Sequence, residues 1–146
     1  MNLSKHFSLE ELVRSQAAVR RGIDNTPGPD ELARLVELCT HILEPLRMRL
    51  GRPVYVNSGY RCKELNTLIG GSRQSQHMRG EAADIEVSGM TAPEVFHYIL
   101  DSGIEYDQVI EEFGEWVHIS WSAKPRHVAL VAFKNDEGET EYRRVL

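Results

Sequence analysis

Ser75-Gln76-His77-Met78-Arg79-Gly80-Glu81-Ala82-Ala83-Asp84 runs from a polar, glycine-containing loop into a strand-like segment. It sets a histidine and an aspartate seven residues apart, and both are zinc-ligand types. Alternation across Ala82-Ala-Asp-Ile-Glu-Val87 puts Ala83, Ile85 and Val87 on one face and Asp84 with Glu86 on the other. The carboxylate is thereby turned away from the core. A third ligand type, His118 in Trp116-Val-His-Ile-Ser120, shares the less apolar face of its own run with Trp116 and Ser120. If both runs lie in one sheet, the two side chains point at a common spot and His77 reaches it from the loop. Two imidazoles and one carboxylate leave a zinc ion a position for water, the arrangement of a catalytic site. Each residue alone has an ordinary reading as a solvated or hydrogen-bonded side chain, and the spacing by itself is weak.

At 146 residues the chain is read as one domain spanning residues 1–146. Hydrophobic residues at 41% and charged residues at 27% exclude disorder and fibrous repeats, and a net charge of −5 argues against a nucleic-acid or anionic-membrane partner. The N-terminus has no apolar signal core and no stretch reaches a membrane span, which implies synthesis in the cytoplasm without membrane insertion. Cys39 and Cys62 fit no metal spacing and read as free thiols, a disulfide between them being the open alternative.

Along the chain, Ser8-Leu-Glu-Glu11 is a capping box opening a short helix, and residues 20–30 form a loop. Apolar residues from Leu32 to Leu46 recur at helical spacing over about residues 30–50, with Pro45 placed to kink that helix. Pro53 to Asn57 reads as a strand, and Thr91-Ala-Pro-Glu94 caps a helix that ends at Gly103. Runs at 106–112, 115–121, 127–133 and 139–145 read as strands whose short connections predict successive antiparallel hairpins. The layout is α+β, with a central, mainly antiparallel sheet and helices packed on one side.

Ser75-x-His77-x-x-Gly80-x-Ala82-x-Asp84, followed by Glu115-Trp-Val-His118, resembles the signature of the zinc D-alanyl-D-alanine peptidases. Ser58-Gly-Tyr-Arg61, Asn66, Gly70-Gly71 and the run from Asp107 to Phe113 are similar to its small single-domain bacterial and phage-derived members. The resemblance covers roughly residues 3 to 133. It implies a hedgehog/DD-peptidase-like fold, one Zn2+ held by His77, Asp84 and His118, and hydrolysis of D-amino-acid-containing bonds in peptidoglycan stem peptides, as a carboxypeptidase or an endolysin-type endopeptidase.

The same resemblance implies Glu115 as the proton-transferring base, three residues before the last ligand. A strict strand turns Glu115 and His118 to opposite faces, so this role requires the strand to begin after a turn at Phe113-Gly114. Glu112, at the end of the preceding run, is the alternative base. Arg61 matches an arginine that binds or polarises substrate, and Ser75 is a candidate substrate contact. A monomer is expected, and the missing export signal fits release to the cell wall by phage lysis or synthesis inside the cell as part of a larger particle. Two other classes fit the residues: a zinc-containing binding module without a competent base, and a virion-associated protein.

Overall fold

The computed structural model describes residues 1–145. Capping settles the first elements: Ser8 and Glu11 form the reciprocal box at the start of α1 (Leu9–Val13), and Ser15 caps α2 (Gln16–Arg21), a helix that lies partly within the expected loop. The long amphipathic stretch is one helical column in three parts: α3 (Pro29–Leu38), a π-helical turn (Cys39–Leu43) and α4 (Glu44–Leu50). Pro45 in the first turn of α4 has no N–H to give and its ring crowds the preceding turn, so the ladder widens there. The remaining elements are β1 (Val54–Ser58), α5 (Lys63–Leu68), a 3-10 turn (Gln76–Arg79), β2 (Ala82–Val87), α6 (Ala92–Ser102), β3 (Gln108–Glu112), β4 (Trp116–Ser120), β5 (Val128–Lys134) and β6 (Thr140–Arg144).

The strands form a six-stranded sheet in the order β1-β2-β4-β3-β5-β6. Ala83, Ile85, Val87, Val109, Val117, Ile119 and Ala129 bury one face against Leu35, Leu38, Ile42, Leu43 and Leu46 of the helical column and Val95, Phe96 and Ile99 of α6. The opposite face carries, in register across the sheet, Ser58, Asp84, His118, Ile110 and Leu130. The α+β layout with helices covering one face follows the expectation, and Asp84 stands directly opposite His118 on neighbouring strands.

One expectation fails. β3–β4 and β5–β6 are antiparallel hairpins, but β5 does not pair with β4; it pairs in parallel with β3. The connection 121–127 steps over the start of β3, and the buried Asp107 holds it there. Its carboxylate accepts the Arg126 backbone N–H at 2.9 Å and its carbonyl accepts the Val128 N–H at 3.0 Å. A buried carboxylate requires such partners, and these are supplied only if the chain passes on this side.

Candidate metal centre

Ser75 begins the 3-10 turn by accepting the His77 N–H at 3.2 Å, and Gly80 ends it in the left-handed conformation at φ 78°. The turn lies against α3, where a Cβ at position 80 would overlap the Glu31 carbonyl. His77 is thereby swung inward and 3% exposed. Its Nδ1 lies 2.7 Å from the Gly59 carbonyl, which can only accept, so Nδ1 carries the proton and Nε2 presents a lone pair.

That lone pair lies 3.2 Å from Asp84 Oδ1, and His118 Nδ1 lies 3.1 Å from the same oxygen. One ligand atom from each of His77, Asp84 and His118 falls within 4.8 Å of the others, and all three residues are buried. Burial lowers the pKa of His77 and keeps its ring neutral. Burial alone would raise Asp84, but its partners, led by the hydrogen bond with His118, more than offset it and hold the carboxylate well below its ordinary range. A neutral imidazole lone pair facing a buried carboxylate oxygen is repulsive unless a cation lies between them. The donor set therefore fits a divalent metal of zinc type.

Arg61 stands behind the carboxylate, its Nη2 3.7 Å from Asp84 Oδ2, with Nε donating to Ser58 Oγ at 3.1 Å and Nη1 to Asn66 Oδ1 at 3.0 Å. Such outer contacts orient a ligand and tune it. The triad opens into a cleft of about 650 Å³ whose lining includes Arg61, Ser75, Gln76, Glu112, Trp116, Arg126 and Tyr142.

The two candidate bases are separated by the β3–β4 turn. β4 does begin after Glu115, and Phe113 and Gly114 both turn with positive φ, at 58° and 71°. Glu112 pairs with Trp116 on the face that carries His118, and it lines the cleft. Glu115 is exposed and lines a separate small cavity with Glu86 and Met90. Burial, then the charge of Asp84, raises the pKa of Glu112.

A family model described as Peptidase M15 matches residues 5–120, a span that includes Arg61, the three candidate ligands and both glutamates. The chain belongs to the Peptidase M15 family. No curated protein matches it. M15 peptidases are zinc-dependent, so membership and the His-Asp-His cluster together make this a metal-binding metallopeptidase. The other histidines have other partners: His6 meets Glu44, His127 meets Glu105, His97 lies edge-on to Phe96, and His41 meets Glu37 and stacks on Trp121 at 4.8 Å. Cys39 and Cys62 are free, and burial pushes the Cys39 thiol up to about 12. Among the described residues no helix is long and apolar enough to cross a membrane.

Among the cleft residues that were not anticipated are Arg126 and Tyr142. Arg126 comes from the connection over β3 and Tyr142 from the edge strand β6. Neither carries a local signal, because the parallel β3–β5 pairing alone brings them to this face.

Proposed function

We propose that this M15 peptidase is a zinc enzyme of hedgehog/DD-peptidase-like architecture that hydrolyses D-amino-acid-containing peptide bonds of peptidoglycan stem peptides. The supporting observation is the buried His77–Asp84–His118 triangle open to a cleft that also holds Glu112 and Arg61. When bound, zinc supplies a Lewis acid and lowers the pKa of water at the position left open by three protein ligands.

The chain's own groups account for the remaining steps. The Gly59 carbonyl keeps His77 in the tautomer that frees Nε2. Glu112 takes the proton of the attacking water on a carboxylate oxygen and delivers it to the departing amine nitrogen as the C–N bond breaks. Its raised pKa suits both halves of that transfer. Arg61 fixes Asp84 and presents positive charge beside the carbonyl oxygen as that oxygen becomes negative. Ser75 holds the His77 turn and edges the cleft as a substrate contact. The protein acts as a monomer on cell-wall peptides reached after phage lysis.

Mass spectrometry of synthetic stem peptides after incubation with the zinc-loaded protein tests this reading. Scission next to a D-residue, abolished in His77→Ala, is expected. Intact peptides at full zinc occupancy would overturn the enzymatic reading and leave the zinc-containing binding module.

A further inference from the structure

The family match stops at residue 120, yet residues beyond it build part of the cleft. Arg126 is held there from beneath. Its Nε donates to Asp107 Oδ1 at 3.0 Å and its Nη2 to Asp107 Oδ2 at 2.7 Å, and Gln76, next to His77, donates to the same carboxylate at 2.9 Å. The Arg126 side chain is nonetheless 58% exposed, against 3% for Asp107, and its Nη1 has no partner among the described residues. A guanidinium fixed by one carboxylate, with N–H groups still facing a cleft, is preorganised to receive a second anion. Of the other arginines lining the cleft, Arg61 is paired with Asp84 and Arg79 with Glu81, so neither competes with Arg126 for a further anion.

Tyr142 forms the facing wall. Trp116, Glu112, Ala132 and Tyr142 lie in register across β4, β3, β5 and β6 on the ligand-bearing face. Ala132 is buried between Glu112 and Tyr142, so the wall at this point is formed by the glutamate and the tyrosine. Burial and then the nearby charge of Glu112 raise the Tyr142 pKa, as this proximity requires. The ring is 58% exposed on an edge strand, so it contributes little to the core.

We propose that Arg126 and Tyr142 are specificity-determining residues for the peptide substrate, Arg126 binding a substrate carboxylate and Tyr142 covering the adjoining segment. This rests on the peptidase reading and adds the substrate class, a carboxylate-bearing peptide. The carboxylate is either the C-terminal one or one carried along the peptide.

Calorimetric titration of the zinc-loaded protein with a non-hydrolysable form of the tripeptide L-Ala-γ-D-Glu-L-Lys, its two peptide bonds replaced by ketomethylene groups, distinguishes these sources. Two analogues are compared with it, one amidated at the C-terminus and one at the glutamate α-carboxylate. Wild type is expected to bind one amidated analogue about tenfold or more weakly, the loss of one charge-assisted hydrogen bond. Arg126→Gln should erase that discrimination. Because Arg126 also holds Asp107, Tyr142→Ala provides the independent arm: about fivefold weaker binding of the parent, with zinc content and thermal stability unchanged, and Tyr142→Phe close to wild type. Equal affinity for all three peptides, or a Tyr142→Ala protein that binds like wild type, overturns the inference while leaving the peptidase reading standing. If wild type neither binds the tripeptide nor cleaves longer stem peptides, both fall.

Discussion

Replacing Gly80 by alanine tests whether the 3-10 turn that presents His77 is held by its fit against α3. Gly80 sits at φ 78°, a region that costs an L-residue about 1–2 kcal/mol. Its new Cβ would stand 2.5 Å from the Glu31 carbonyl oxygen and 3.3 Å from Leu35 Cγ. Backbone cannot rotate away as a side-chain end can, so overpacking adds about 1–3 kcal/mol and the total is about 3 kcal/mol. Gly22 is the control: it has φ 65° and nothing within 4 Å of the same added atom. Gly22→Ala should cost only the conformational part, about 1 kcal/mol. Urea unfolding at constant m-value measures both. A zinc titration should then find affinity lowered by about tenfold or more in Gly80→Ala alone, since relief of the clash moves the turn that carries a ligand. Equal losses for the two alanines would refute the packing argument. A stability loss in Gly80→Ala with unchanged zinc affinity would refute the link to His77.

Glu112→Gln should reduce kcat/KM by about 10²–10⁴, whereas Glu115→Gln should stay within a few-fold of wild type; steady-state kinetics on a stem peptide separates them. Burial alone would raise the Asp107 pKa, but hydrogen bonds from Arg126 and Gln76 lower it below the ordinary 3.8. Its ionised form therefore adds stability that is present above about pH 4 and is lost as pH falls through the folded-state pKa. Melting temperatures of wild type and Asp107→Asn should accordingly differ near neutrality and converge in acid; a gap independent of pH would exclude this linkage. Alkylation of the native protein should give one adduct, at the half-buried Cys62, since Cys39 is buried and its thiol pushed up to about 12. Intact-mass analysis with peptide mapping checks it.

That Asp84 and His118 share a face was legible in local alternation, while the grouping of both with His77 came from the motif resemblance. Period two in Ala82–Val87 turns Asp84 off the core face, and the same rule turns His118 away from Val117 and Ile119. Caps at Ser8 and Thr91 mark helix starts by side-chain bonds made within three residues. What alternation does not encode is which strand lies beside which. Val128–Lys134 reads as a strand in any pairing, and its place next to β3 depends on Asp107 meeting Arg126, 19 residues away. The two candidate bases are parted by a similar detail. Phe113 adopts φ 58°, uncommon for a bulky residue, so the turn leaves Glu112 on the ligand face and Glu115 outside the cleft. The π-helical turn before Pro45 and the short helix α2 arise from backbone accommodation and a single serine cap, signals too local to stand out among neighbouring polar residues.

The most direct test is zinc stoichiometry after exhaustive dialysis of zinc-loaded protein, with wild type and His118→Ala measured side by side by elemental analysis. One zinc per wild-type chain and none in the variant is the predicted result, because two ligands do not hold the ion against dialysis. A wild-type chain without zinc, or a His118→Ala chain that keeps it, would contradict the assignment of His77, Asp84 and His118 as the metal centre.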